Sequence, residues 1–130
     1  MIIQIQYKFR GNNREKLISD LKKLDSLLES KGHTVLIALK NLEDWGNKNY
    51  EPYSGLMAET LKLIDRADAT LAFFLNLEPS EGRGFEIGYA KAKGKKTILA
   101  IHKDSRDEFT ESWFDKVIVF DKVEDIAENF

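Results

Sequence analysis

Glu86 stands in "PSEGRGFEIGYA" (79–90), where a stretch holding Gly82 and Gly84 runs into a predicted helix and the apolar Phe85 and Ile87 flank the carboxylate. A carboxylate in an apolar mouth can attack an electron-poor carbon or stabilise an oxocarbenium ion, which favours a sugar-like substrate over an acyl one. An acidic residue in a first helical turn is equally explained by the helix dipole, worth a few tenths to about 1 kcal/mol. The residues alone leave both readings open. Gly82 and Gly84 allow close backbone approach, and free amides at a helix start suit an anion. Their spacing is neither the dinucleotide fingerprint nor a phosphate-binding Lys-Ser/Thr loop. His33 and His102 lack the spacing of a metal site, and the residues call for no metal or cofactor.

The elements that must position Glu86 follow from periodicity. "IIQIQYKF" (2–9) alternates and ends at the turn cluster "RGNN", which predicts a first strand. Leu17, Ile18, Leu21, Leu24, Leu27 and Leu28 recur at helical spacing over 14–31, and Gly32 follows as a cap. The apolar run 33–40 predicts a second strand covered on both faces. Periodicity breaks over 41–55, where Trp45, Tyr50 and Tyr53 gather with Gly46, Pro52 and Gly55. Further along, the pattern predicts a helix over 56–66, strands over 69–76, 96–103 and 116–121, a helix over 84–93, a polar connection or short helix over 105–114, and a closing helix.

Strands alternating with helices and no hairpin signals predict a single-domain α/β fold over 1–130, a small doubly wound (Rossmann/flavodoxin-like) five-stranded parallel sheet flanked by helices. Such sheets bind ligands beyond the carboxyl ends of their strands, where "KFRGNN", the aromatic stretch and "EPSEGRG" must meet. The formal net charge of -2, with no long basic block, disfavours nucleic acid as a partner. No stretch approaches the roughly 20 apolar residues of a membrane helix, and the start has no leader-like pattern. A cytoplasmic address is the expectation.

"PSEGRGFEIGYA", preceded by "RADATLAFF" and followed by "GKKTILAI", resembles the corresponding segment of the nucleoside 2-deoxyribosyltransferase superfamily, which includes the 2'-deoxynucleoside 5'-phosphate N-hydrolases. The resemblance implies that Glu86 is the nucleophile attacking the anomeric carbon as the base departs. Six residues earlier, where the transferases tend to carry an Asp for the sugar 5'-hydroxyl, Ser80 matches the hydrolases and implies a 5'-phosphate. A hydroxyl and helix-terminal amides can bind phosphate, whereas Asp would repel it. Arg83 is then a candidate for phosphate charge, with Gly82 and Gly84 beside it. Tyr7 matches a family Tyr whose hydroxyl touches the nucleophile.

This chain also departs from the family. "KFRGNN" keeps only Arg10, Gly11 and two asparagines of a "GSIRGG"-like phosphate loop, and the family's general-acid Asp is replaced by Thr60, with Glu59 beside it as the substitute candidate. Asp68 matches a family position that fixes a helix-to-strand corner. Trp45, Tyr50 and Tyr53 can stack on a base or fold back on one another. The resemblance also implies a homodimer or larger homo-oligomer. The expected function is hydrolysis of the N-glycosidic bond of a nucleoside 5'-monophosphate through a glycosyl-enzyme intermediate. The alternatives are base exchange by a transferase and a nucleotide-binding module without turnover.

Overall fold

The computed structural model describes residues 1–130. Its strands are β1 (Ile2–Gln6), β2 (Thr34–Ile37), β3 (Ala69–Phe74), β4 (Lys96–His102) and β5 (Lys116–Phe120). Its helices are α1 (Arg14–Ser30), α2 (Ala38–Asn41), α3 (Tyr53–Arg66), α4 (Glu81–Ala92), α5 (Glu108–Glu111) and α6 (Val123–Glu128). All strand pairs are parallel, in the order β2-β1-β3-β4-β5, so the expected five-stranded doubly wound sheet is present. The chain reverses its winding between β1 and β3, which is where such sheets open a crevice. No helix is long and apolar enough to cross a membrane.

The two sheet faces differ in chemistry. On one, Ile3, Ile5, Leu71, Phe73, Ile98 and Ile118 pack against Leu17, Leu21, Leu24 and Leu28 of α1 and Ile126 of α6, forming the larger apolar core. On the other, α3 and α4 cover two smaller apolar clusters, one around Leu36 and Leu63 and one around Phe74, Ile87 and Ile101. Gln4, Gln6, Thr60 and Thr70 are buried on this second face. Because side chains alternate along a strand, Gln4 and Gln6 share that face, and the register sets Gln4 beside Thr70 and Gln6 beside Ala72. An apolar core interrupted by buried amides is unusual unless a function requires them.

Several boundaries differ from expectation. The first strand ends at Gln6 rather than residue 9, and β3 ends at Phe74. The apolar run 33–40 holds a strand only to Ile37, after which the chain turns into α2, where the Asn41 side chain accepts from the Ile37 amide at 2.9 Å. Apolar composition could not separate these two halves, since both are buried. Helix α3 starts at Tyr53, three residues before the expected start, and α4 starts at Glu81, again three residues early. Gly82 and Gly84 thus lie inside α4, not in a preceding loop.

Candidate active site

The start of α4 is fixed by Ser80, whose hydroxyl accepts from the Arg83 amide at 3.3 Å as a helix N-cap. Counting from that cap moves Glu86 out of the first turn and into the second, where the dipole contributes little. That removes the plainest alternative explanation of the carboxylate. Glu86 lies on the inward flank of α4, half-buried, between the buried Arg83 and Ile87 positions.

Its partner is Gln4. The Gln4 side-chain amide donates to Glu86 Oε1 at 2.9 Å. Burial pushes the Glu86 carboxyl up to about 7, and the Gln4 hydrogen bond pulls partly against that rise because it favours the ionised form. A carboxylate desolvated and aimed by a neutral donor keeps its negative charge poorly shielded, as a nucleophile requires.

Tyr7, expected to touch the nucleophile, is placed otherwise. It continues the parity of Ile3 and Ile5, packs against the α1 core, and its hydroxyl accepts from the Leu39 amide at 2.9 Å. Burial and the Glu86 charge both raise its pKa, so the phenol stays neutral beside the site. The hydrogen bond expected of Tyr7 is made by Gln4. Only the sheet pairing brings Gln4 and Glu86 together, and the sole sequence signal was an amide at alternating positions of a buried strand, Gln4 and Gln6.

Arg83 also departs from expectation. It is 4% exposed, donates to the carbonyls of Phe73 at 3.3 Å and Glu78 at 3.2 Å, and lies 3.5 Å from the centre of the Phe74 ring. Burial lowers its pKa to about 10, which leaves it cationic at neutral pH. It staples the β3–α4 connection instead of facing solvent. With Lys8, Asn12 and Asn76 it borders a small cleft over Leu17, Phe73 and Leu75 that does not include Glu86. Lys8 crosses the crevice to Glu78 at 2.8 Å and thereby ties the β1 and β3 loops.

Gly82 and Gly84 have ordinary helical φ, and a Cβ built on either would meet nothing. Neither backbone conformation nor packing inside the chain demands glycine there, although each costs a helix roughly 0.5–1 kcal/mol relative to Ala. Gly11, at φ +79°, does need to be glycine for the turn after β1, where Arg10 is exposed. Glu59 is not brought to Glu86. Its carboxylate pairs with Lys62 at 2.8 Å on the outer flank of α3, while Thr60 turns inward and its hydroxyl donates to the Leu56 carbonyl at 2.8 Å. The roughly 100° between neighbouring helical residues decides which of the two sees the sheet.

Trp45, expected as a base-stacking residue, packs instead against the α1 core, under Lys22 at 5.4 Å from its ring. Its φ of +57° places it in the left-handed region, held by the Asp44–Gly46 turn, whose Gly46 carbonyl accepts from Arg14. Tyr53, the first residue of α3, is exposed. Asp68 accepts from the Ile2 amide at 2.8 Å and so fixes the corner between α3 and β3.

The family model described as nucleoside 2-deoxyribosyltransferase matches residues 8–119, a span that contains Ser80 and Glu86 and begins just after Tyr7. No curated protein sequence matches the chain. Among solved structures, the chain is similar in fold to the CMP N-glycosidase of Clostridium botulinum, at 20% identity over 99% of this chain and 97% of that one, TM-score 0.73. The 2-deoxyribosyltransferase of Bacillus psychrosaccharolyticus is similar at 21% identity over 100% and 92%, TM-score 0.70. That of Leishmania mexicana is similar at 22% identity over 94% and 75%, TM-score 0.62.

Proposed function

The chain belongs to the nucleoside 2-deoxyribosyltransferase family, a family of enzymes that act on glycosidic bonds of nucleosides, and from that premise we propose that it hydrolyses the N-glycosidic bond of a nucleoside 5'-monophosphate. The observation that carries the reading is the half-buried Glu86 carboxylate, one turn inside α4, held by Gln4 at 2.9 Å and by nothing cationic. In the reaction Glu86 attacks the anomeric carbon as the C–N bond breaks and its electron pair leaves with the base. Water then attacks the anomeric carbon of the glycosyl ester from the face that the base left, and the bond from that carbon to the Glu86 oxygen breaks to release the sugar phosphate and the carboxylate. The proton that water loses balances the one the departed base takes up. Two displacements give net retention.

The 5'-phosphate is proposed to lie at the α4 N-terminus. There the Ser80 hydroxyl still has a proton to donate after accepting from the Arg83 amide, and Gly82 and Gly84 leave the backbone open to approach. Arg10, exposed on the loop after β1, supplies positive charge, and Arg83 supports the site from beneath. The CMP N-glycosidase among the similar folds makes water a reasonable acceptor for this architecture. Thr60 carries no carboxyl and Glu59 pairs outward with Lys62, so neither is placed to protonate the base.

Purified protein is incubated with ribo- and deoxyribonucleosides and their 5'-monophosphates, with and without a free acceptor base, and base release is followed beside Glu86→Ala. Release confined to monophosphates and lost in the variant is the expected result. Exchange between free nucleosides and bases would make the protein a transferase, and binding without release would make it a nucleotide-binding module.

A further inference from the structure

On the sheet face that carries Glu86, Gln6 is 1% exposed, and neither its Oε1 nor its Nε2 has a hydrogen-bond partner. Gln4 Oε1, on the same face, lacks one too. Buried amides are nearly always paired, because the water they give up must be replaced, so a fully orphaned carboxamide opposes folding. The fold supplies no partner for it, and the edge of a bound nucleobase could supply both a donor and an acceptor.

Position supports this. Gln6 is the last residue of β1, one same-face step of roughly 6.6 Å beyond the Gln4 that aims Glu86, and on the side towards the ligand edge. Beside it in the register stands Ala72, whose methyl group offers the amide no hydrogen-bond partner. In an in-line displacement the departing base lies across the sugar from the attacking oxygen, which starts roughly 3–3.5 Å from the anomeric carbon. A residue that touches the base must therefore lie past the nucleophile towards the ligand edge, the direction in which Gln6 follows Gln4 along β1.

We propose that Gln6 reads the departing base. Its Nε2–H donates to a ring-nitrogen or carbonyl acceptor, and its Oε1 accepts from an adjacent N–H, so the ligand class is a nucleobase whose edge presents acceptor and donor side by side. Gln6 gives up no proton. As the C–N electron pair moves into the base ring, the fixed amide donor stabilises the charge gathering there, on a site where Thr60 stands in place of an acid. The inference rests on the N-glycosidase reading but concerns recognition, and affinity alone tests it.

The test compares wild type with Gln6→Leu and Gln6→Met, using two pairs of 5'-monophosphates: cytidine against its pyrimidin-2-one counterpart, and adenosine against its purine counterpart lacking the amino group. Affinity is read by calorimetry, kcat/KM by base release, and Tm without ligand. Wild type is expected to prefer the complete edge in at least one pair by roughly tenfold to hundredfold, and both variants to lose that preference while their unliganded Tm rises by a few degrees. Preference retained in the variants, absent from wild type, or accompanied by a fall in variant Tm would overturn the proposal and assign the amide to the fold. Should wild type discriminate in affinity yet release no base, the hydrolase reading fails while the role of Gln6 stands. Should it release base and the variants keep its preference, the reverse holds.

Discussion

Gln4 and Glu86, separated by 82 positions in the chain, meet at 2.9 Å because β1 lies inside the sheet, between β2 and β3, and α4 crosses over it. The pair joins a neutral donor to a half-buried carboxyl whose pKa burial has raised to about 7. Its energetics are measurable without any substrate.

In the folded protein Glu86 takes up its proton near 7, against about 4.5 when unfolded, so between these values the native state binds more protons than the unfolded state. Stability from this group is therefore complete below about 4.5 and is lost as pH rises to about 7. Glu86→Gln keeps the shape of the protonated carboxyl. Its stability should match wild type near pH 4.5 and exceed it by about 3 kcal/mol above pH 7.5, with activity abolished. Denaturant titrations at the two pH values check this, and a gap that does not grow with pH would show that Glu86 is not desolvated.

Gln4 acts through Glu86. Removing the amide with Gln4→Leu deletes the contact that favours the ionised form, so the acid limb of kcat/KM, expected near pH 7 in wild type, should move to higher pH. The pH-independent plateau should fall by roughly tenfold as the carboxylate loses its aim. A pH–rate profile reads both effects. Lowered activity with an unmoved limb would reduce Gln4 to packing.

Much of this was legible in sequence. The alternation of apolar runs and helical spacing yields the parallel doubly wound sheet, and the stretch 79–90 singles out Ser80 and Glu86. The Gln4 contact was not, because a hydrogen bond between a central strand and a distant helix depends on register and helix rotation, neither of which leaves a local pattern. Tyr7 drew the role from its match to a family tyrosine, yet alternation along β1 sends Tyr7 to the α1 face and Gln4 to the face of Glu86. Arg83 drew a phosphate role from its place beside Ser80, and its burial follows from the carbonyls of Phe73 and Glu78 and the Phe74 ring, contacts that no local pattern shows.

Arg83→Met should therefore act on stability. Losing two donors to buried or half-buried carbonyls and the Phe74 contact should cost about 2–3 kcal/mol, lowering Tm by roughly 6–12 °C. At temperatures well below the transition the KM for a monophosphate should stay within about threefold of wild type, whereas a direct phosphate ligand would raise it far more. Calorimetry and steady-state kinetics on the same preparation separate the two roles.

Ser80 offers the complementary experiment. Asp caps a helix as well as Ser, so Ser80→Asp should leave Tm within a few degrees of wild type. It should also lower kcat/KM for monophosphates by roughly a hundredfold through charge repulsion, with free nucleosides unaffected or improved. An unchanged preference for monophosphates would move the phosphate away from the α4 N-terminus.

Covalent attack by Glu86 is tested most directly by the anomeric configuration of the product trapped with methanol as acceptor, since the methyl glycoside cannot mutarotate. Magnetic resonance of the product formed from a β-nucleoside 5'-monophosphate should show the β-methyl glycoside, the retention that two displacements at one carbon require. The α-anomer would mean a single displacement by solvent and would contradict a glycosyl-Glu86 intermediate.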